Sequence, residues 1–448
     1  NLAGGPNQTI DFQGKSGTLI RASGDFALSV DQFFSISGSM GVEKSTRELT
    51  LADGTQVRAD TLSFGGKNLY AFAGVGGPYW VDTNGDGIYT SADARPATTG
   101  NDGAIGLALE NTNFGLLLST ALPNQKGAEG LSWSALSASA SSISVVGVSD
   151  LTLKVNNLAV DLNLVQGASA DSANAKVIDF ASAAGPVGIV TGTGTKQWLA
   201  MKGSDGVLAR ASASGELRVG DFLELSGAVG LERRAQDLVL ADGTRVAANM
   251  LSIAGTDLSG FVGVGPYRVD LNQDGLVSGN EINPDAVGLG VRDVDFGLAL
   301  FSSYNSGKQG YTHDADARWT SLTASVGAVD TLVGLPSDIQ FQVRDLGVDI
   351  NLVSGVASHL QNSKVIDFGT REVGGQVQNR SLDLLAGPGR TLSLTHDGTR
   401  GQLVRASGGL TLDVAGFFYA SGTMSIEKSA RDLVLANGSV VSQASVLT

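Results

Sequence analysis

The chain repeats itself at long range. The stretch RASGDFALSVDQFFSISGSMGVEKSTRELTLADG begins at Arg21, and similar stretches begin at Arg210 and Arg405. The first and third copies are identical at more than half of their aligned positions, which is too many for coincidence. Self-similarity at a fixed period is the signature of repeat architectures. We therefore expect about 2.3 copies of a unit of roughly 190 residues, cut as a window from a longer array.

We place the boundary between units where the spacing between two recurring motifs varies. An IDF motif precedes each RAS motif, and the connection between the two motifs lengthens from the first copy to the second and again to the third. Surface connections tolerate such insertions. The predicted organisation is the end of a preceding repeat or linker (1–20), unit 1 (21–180), a variable linker (181–209), unit 2 (210–368), a second variable linker (369–404) and the start of unit 3 (405–448).

Within each unit the apolar residues alternate over short runs, as in LTLKVNNLAVDLNLV. Alternation with Gly, Asn-Gly and Asp-Gly punctuation about every ten residues predicts strands throughout. The 61 glycines and 9 prolines suit a β protein with many tight turns. We expect an all-β, elongated repeat protein, preferably a β-solenoid whose rungs stack. A tandem array of β-sandwiches is the alternative.

Charge and composition exclude several classes of partner. The formal net charge of −14 disfavours nucleic acid and anionic lipid but suits divalent cations. No apolar run approaches the roughly 18 residues of a membrane span, so we expect no membrane insertion in this segment. The absence of cysteine excludes disulfides and thiolate metal sites.

Two stretches have the spacing of a twelve-residue calcium loop, DTNGDGIYTSAD at 82–93 and DLNQDGLVSGNE at 270–281. Such a loop supplies oxygens from positions 1, 3, 5, 7, 9 and 12 and turns sharply at a Gly in position 6. The predicted ligands are Asp82, Asn84, Asp86, the Ile88 carbonyl, Thr90 and Asp93 in the first loop, and Asp270, Asn272, Asp274, the Leu276 carbonyl, Ser278 and Glu281 in the second. The cofactor predicted from these residues is Ca2+. No helical pattern flanks either loop, so a sensor that changes a helix angle is excluded.

Residues that could carry catalysis are more simply explained by structure. His313, His359 and His396 occupy no equivalent repeat positions and form no metal or triad pattern. The repeated pairs Asp161/Asp349 and Asp179/Asp367 could serve a carbohydrate-cleaving β-helix, but repeated Asp beside strand ends is usually turn chemistry. Trp133 and Trp319 are expected in the core. We predict no enzyme activity.

Long units, an acidic cysteine-free composition, Gly-rich β patterning and one DxNxDG loop per unit resemble the giant calcium-binding bacterial surface proteins, including the adhesins exported by type I secretion. The nonapeptide GGxGxDxUx of their RTX segments is absent. The resemblance implies an extracellular extender on a bacterial cell surface that stiffens in calcium and serves adhesion or cell-cell contact. Its expected partners are neighbouring repeats of the same chain, further copies in fibres, and a cell-surface or polysaccharide ligand. A carbohydrate-binding or carbohydrate-cleaving β-helix, and a self-assembling filament, sheath or surface-layer subunit, are the alternatives.

Overall fold

A computed structural model describes residues 14, 17–77, 79–90, 93, 103–269, 271–272, 281–283, 285–333, 339–373, 376–414 and 416–448. The prediction of an all-β protein is confirmed. The described part of the chain contains strands and four single-turn 3₁₀ helices but no α-helix. Accordingly, none of its helices is long and apolar enough to cross a bilayer.

The strands are numbered in chain order. They are β1 (Ile20–Val30), β2 (Phe34–Thr50), β3 (Gln56–Val75), β4 (Ile105–Ala121), β5 (Ser132–Val146), β6 (Leu151–Gln166), β7 (Val187–Gly192), β8 (Thr195–Leu199), β9 (Leu208–Val219), β10 (Leu223–Val239), β11 (Arg245–Val264), β12 (Val287–Ser303), β13 (Tyr311–Thr312), β14 (Arg318–Val333), β15 (Ile339–Ser354), β16 (Thr370–Val373), β17 (Gln376–Asn379), β18 (Leu382–Gly387), β19 (Arg390–Leu394), β20 (Leu403–Val414), β21 (Phe418–Val434) and β22 (Val440–Leu447).

The long strands form one sheet in which chain neighbours pair antiparallel. Its order is β1-β2-β3-β4-β5-β6-β9-β10-β11-β12-β14-β15-β20-β21-β22, with the short β13 beside β11. Unit 1 supplies β1 to β6, unit 2 supplies β9 to β12, β14 and β15, and unit 3 supplies β20 to β22. Because β6 pairs with β9 and β15 pairs with β20, the sheet continues from each unit into the next.

The preferred solenoid is not confirmed. A solenoid rung pairs with the equivalent rung of the next coil, whereas each long strand here pairs with the strands before and after it in the chain. The sequence alternation is the same in both architectures, because both leave one side chain in two on the core face. It therefore could not distinguish them.

A row of bulges crosses the sheet of each unit at one level along the strands. Asn68, Asn111 and Asn157 in unit 1 have φ of 50°, 45° and 51°, and their equivalents Asp257, Asp293 and Asp345 have φ of 52°, 54° and 53°. The register shifts beside Asn68, Asn157 and Asp257. Asn and Asp tolerate this left-handed conformation better than other residues with a side chain. The bulges therefore occur at Asx positions in both units.

One face of the sheet is covered by segments that connect the long strands. The two variable linkers each contain a hairpin, β7–β8 and β18–β19, that packs on the sheet of the preceding unit. The hairpin of unit 1 lies over Gly41, Gly65 and Gly115, which stand directly opposite one another on three adjacent strands. A Cβ built on Gly41 or Gly65 would lie 2.4 Å from the Val190 carbonyl oxygen. Only glycine permits this close approach of two backbones.

The IDF motif of units 1 and 2 is buried in the hydrophobic core beside the hairpin. Ile178 and Phe180 are each 1% exposed, and their equivalents in unit 2 are almost as deeply buried. Ile178 and Phe180 pack with residues of β2 to β5. The indole N–H of Trp133 donates to the Lys176 carbonyl (2.7 Å), and Trp319 donates equally to Lys364 (2.7 Å). These tryptophans are core residues, as the sequence predicts.

Candidate metal site

The first predicted loop lies between β3 and β4 and is held to the sheet by aromatic residues. Trp80, two residues before Asp82, is 1% exposed and packs edge-to-face against Tyr70, with ring centroids 5.6 Å apart. The hydroxyl of the buried Ser37 accepts the backbone N–H of Tyr89 (2.8 Å) and donates to its carbonyl (3.2 Å). Both ends of the stretch from Trp80 to Tyr89 are therefore fixed to the sheet.

Side-chain oxygens at positions 1, 3 and 5 organise the backbone of this loop. The two carboxylate oxygens of Asp82 accept the N–H groups of Gly85 (2.7 Å) and Gly87 (2.8 Å). Asn84 accepts from Asp86 (2.9 Å), and Asp86 accepts from Ile88 (2.7 Å). Gly87, at position 6, has φ of 77°. These bonds impose on the backbone the sharp turn that a calcium loop needs.

Asp93, at position 12, closes the loop. Its carboxylate is buried, with the residue 7% exposed, and accepts the N–H groups of Thr83 (3.1 Å) and Thr90 (2.7 Å). The Thr90 hydroxyl lies 3.3 Å from the same carboxylate. A buried carboxylate at this position is costly unless it is hydrogen-bonded or bound to a cation. Its partners come from both arms of the loop.

Only part of the second loop lies within the described residues. Asn272 and Glu281 are described, whereas Asp270, Asp274, Leu276 and Ser278 lie outside. Glu281 is 7% exposed and accepts the N–H groups of Leu271 (3.2 Å) and Asn272 (3.2 Å). The residue at position 12 thus accepts the position 2 N–H in both loops.

The second loop has a different anchor, which sequence patterning did not identify. Arg268 stands where unit 1 has Trp80, and its guanidinium donates to the buried Glu224 (3.0 Å). Tyr267 stacks on Phe261 with ring centroids 4.7 Å apart. The equivalent Tyr79 and Phe72 also stack in unit 1, with ring centroids 6.1 Å apart. The Arg268–Glu224 ion pair therefore stands in place of the Trp80 contacts, while the Tyr–Phe stack is common to both loops.

The donor atoms of the first loop suit calcium, since they are carboxylate, amide, hydroxyl and carbonyl oxygens. Each carboxylate oxygen that accepts one N–H keeps further lone pairs. Within the described residues, however, no three His, Cys, Asp or Glu side chains converge as a ligand set. The described atoms thus show a preformed backbone turn with ligands of the right chemistry.

The repeated aspartates considered for catalysis have structural partners. Asp161 pairs with Arg210 (2.9 Å) and Asp349 with Arg405 (2.5 Å), in both cases on the strand that begins the next unit. Hydrogen bonds from His396 and Arg405 hold the pKa of Asp349 far below its usual range. Asp179 accepts the N–H of Gly203 (2.8 Å), and Asp367 accepts that of Gly398 (2.9 Å).

A second group that patterning missed joins the units. Asn174, 7% exposed, donates to the side chain of Asn249 in unit 2 (2.8 Å) and accepts the N–H of Val207 (2.9 Å). The equivalent Asn362 donates to the Gln443 carbonyl in unit 3 (2.9 Å) and accepts the N–H of Gln402 (3.2 Å). The sequence feature that could have identified these asparagines is their position shortly before the lysine of a KVIDF motif.

The chain matches no protein-family model, and no curated protein is significantly similar to it.

Proposed function

We propose that this chain is a structural extender, a stalk or fibre segment of a large repetitive bacterial cell-surface protein, stiffened by calcium and serving adhesion or cell-cell contact. The observation that carries the proposal is the repeated joint. Units 1 and 2 are joined by β6–β9 pairing and Asn174, and units 2 and 3 by β15–β20 pairing and Asn362. A joint that recurs with the same strand pairing and with an asparagine bonded across it at the same position extends an array in one direction.

An elongated array belongs to this proposal. In a quasi-one-dimensional repeat protein each unit contacts only its neighbours, so length grows in proportion to the number of units. Inserting a second copy of residues 210–404 after residue 404 should lengthen the molecule by one unit without changing its cross-section. Small-angle X-ray scattering measures both quantities. An unchanged maximum dimension with a thicker cross-section would mean that units fold back on one another and would refute the extender.

Calcium and an extracellular location belong to the same proposal. Extracellular calcium modules bind the ion at roughly 10⁻⁴ to 10⁻³ M, so they stay empty in a cytoplasm and fill outside the cell. Binding to the folded state stabilises it by mass action. In the first loop an ion would lie among Asp82, Asn84, Asp86, Thr90, Asp93 and the Ile88 carbonyl. Trp80 and Ser37 hold this loop to the sheet.

A filament subunit is the second candidate, favoured by the uncovered face of the sheet. Leu231, Leu251, Ile253 and Leu300 are 49%, 46%, 40% and 40% exposed and lie on neighbouring strands, alternating with buried residues of the other face. Large contiguous apolar patches often mark association sites. Sedimentation velocity of the Leu251→Lys/Leu300→Lys variant tests this candidate. A filament requires concentration-dependent species of the parent chain that the variant loses, and a parent that stays monomeric would exclude it.

A further inference from the structure

One face of the sheet carries an unbroken row of apolar residues that crosses the strands. Each residue of the row lies directly opposite the next one on the neighbouring strand. Through unit 2 and into unit 3 the row consists of Leu231, Ile253, Leu298, Leu322, Ile350 and Val404. Along each strand these residues alternate with buried residues of the other face, such as Ala254 and Ala299. The row therefore lies on the side of the sheet that no hairpin of the described residues covers.

The row continues across the joint between units 1 and 2. Leu231 lies opposite Ala211 of β9, and Ala211 lies opposite Val160 of β6. Val160 lies opposite Ala138 of β5, which lies opposite Phe114 of β4. With neighbouring strands about 4.8 Å apart, the row from β4 to β20 is about 40 Å long. The apolar surface is thus a feature of the array and not of one unit.

The same outward positions are apolar in units 1 and 2. The pairs of equivalent residues are Phe64 and Ile253, Leu116 and Leu298, and Leu136 and Leu322. An antiparallel sheet with one solvated face carries polar residues on that face, so this surface has the composition of a face that is covered. Because the surface repeats with the unit, it is matched by a partner with the same period. A second copy of the array has that period.

The apolar surface is large enough for a stable interface. In unit 2 the row is flanked by two further rows, of which one includes Leu251 and Leu300 and the other Val229 and Phe296. Three rows, each about 7 Å wide and about 40 Å long, cover roughly 800 Å². Stable protein–protein interfaces bury about 800 Å² per partner. Two such faces packed together therefore meet the requirement of a stable dimer.

Exposed charges of both signs flank the apolar rows. In unit 1 Lys44, Glu48, Arg58 and Asp60 lie on the same side of β2 and β3 as Leu62. A bilayer would remove water from these charges at a large cost. A second sheet packs about 10 Å away with its strands within about 30° of the first, and leaves charges at the rim in water. The charges therefore favour a protein sheet over a lipid surface.

We propose that two copies of this chain pack back to back through their uncovered faces, and that association stops at this pair. Both copies contribute the same rows, so the contact is isologous and closes under a twofold axis. The opposite face of each copy is covered by its own hairpins and IDF motifs. The pair rests on the array of the proposed function but not on calcium. It uses the face that also favours a filament, and it differs from a filament because it is closed.

Sedimentation equilibrium of the full chain in EGTA tests the pair. We expect monomer and dimer alone, and Ile253→Lys/Leu298→Lys should raise the dimer dissociation constant at least a hundredfold because it places charges in an apolar contact. The matched control is Trp198→Lys, since Trp198 is 52% exposed on the hairpin of the opposite face. The control should leave the constant unchanged. Monomer at every concentration, a dimer that survives the double variant, or species larger than a dimer each overturn the proposal, and the last would favour the filament.

Thiol reactivity gives a second measurement that does not depend on lysine variants, because the chain has no cysteine. Ile253→Cys should react with a maleimide at least tenfold more slowly in concentrated than in dilute solution, whereas Trp198→Cys should react equally fast in both. Equal rates for Ile253→Cys would overturn the assigned face. A monomeric chain that floats with phosphatidylcholine vesicles would also overturn the pair and assign the face to lipid. None of these outcomes changes the calcium dependence that tests the extender, because every measurement is made in EGTA.

Discussion

The side-chain amide of Asn174 in unit 1 donates a hydrogen bond to the side-chain oxygen of Asn249 in unit 2, 2.8 Å away. The side-chain oxygen of Asn174 accepts the N–H of Val207, so this buried group of unit 1 bonds both to unit 2 and to the linker that precedes it. A satisfied buried amide fixes one relative placement of its neighbours, because any other placement leaves polar atoms unpaired. The joint is therefore specific as well as continuous.

Removing this amide should loosen the joint. Asn174→Ala leaves the Val207 N–H unsatisfied and is expected to cost about 1 to 3 kcal/mol. Chemical denaturation followed by tryptophan fluorescence measures the loss. Gln376→Ala, at an exposed position of β17, is the control and should cost nothing measurable. Equal stability of the two variants would contradict a role for Asn174 in the joint.

A glycine beneath the second hairpin should be irreplaceable. In Gly230→Ala the new Cβ would meet the Leu385 carbonyl oxygen at 2.2 Å, so the hairpin must move. Such overpacking typically costs about 1 to 3 kcal/mol. Gly422→Ala, in β21, is the matched control because a Cβ there meets nothing within 4 Å. If both substitutions have the same effect on the unfolding midpoint, the hairpin does not lie on the sheet as described.

Units 1 and 2 differ at a buried polar contact behind the IDF motif, and a single substitution can exchange it. Asn163 and Asn351 both donate to the isoleucine carbonyl of the IDF motif, at 2.7 Å and 2.8 Å. Ser321 donates to the side-chain oxygen of Asn351 (3.0 Å), whereas unit 1 has Ala135 at that position and the Asn163 oxygen has no partner among the described residues.

We expect Ala135→Ser to stabilise the chain by about 1 kcal/mol, because it supplies the missing donor. Ser321→Ala should destabilise it by about 1 to 3 kcal/mol, because it leaves a buried acceptor unpaired. Opposite signs in paired denaturation curves support the assignment. Destabilisation by both substitutions would show that the site near Ala135 has no room for a hydroxyl.

Lowering the pH should destabilise the fold, because it protonates buried carboxylates that are stabilised in their charged form. Burial raises the pKa of Glu43, but hydrogen bonds and charges from Arg21 and Arg47 outweigh burial and lower it. The pKa of Asp367 is lowered by Arg371 and two backbone N–H groups in the same way. A carboxylate with a lowered folded-state pKa stabilises the fold fully above its unfolded pKa, near 4, and loses this contribution as the pH falls.

The unfolding midpoint should therefore fall as the pH is lowered from about 5 to 3. Glu43→Gln should be less stable than the parent at pH 7 and should show a shallower decline, since it lacks one of the titrating groups. Thermal unfolding across this pH range measures both slopes. Parallel declines would mean that Glu43 does not contribute.

Sequence alternation predicted the strand content because it follows from burial of one face, as in LTLKVNNLAV of β6. It could not predict which strands pair, since the alternation would be the same if β6 had stacked on a later coil of a solenoid. The sequence did not predict the hairpins β7–β8 and β18–β19. Their packing on the sheet depends on Gly41 and Gly230, which are distant in sequence from the hairpin residues that they contact. Within the loop, the DxNxDG spacing identified Asp82 and Asp86, whereas the anchoring Ser37 carries no sequence signal.

The most direct test of the calcium-stiffened array is thermal unfolding in EGTA, in millimolar magnesium and in millimolar calcium. It compares the parent chain, Asp82→Ala/Asp270→Ala and the control Asp221→Ala at an exposed turn. The account predicts a rise in melting temperature with calcium alone, kept by the control and lost by the double variant. Identical melting temperatures in EGTA and calcium would contradict it and leave the two loops as ordinary turns.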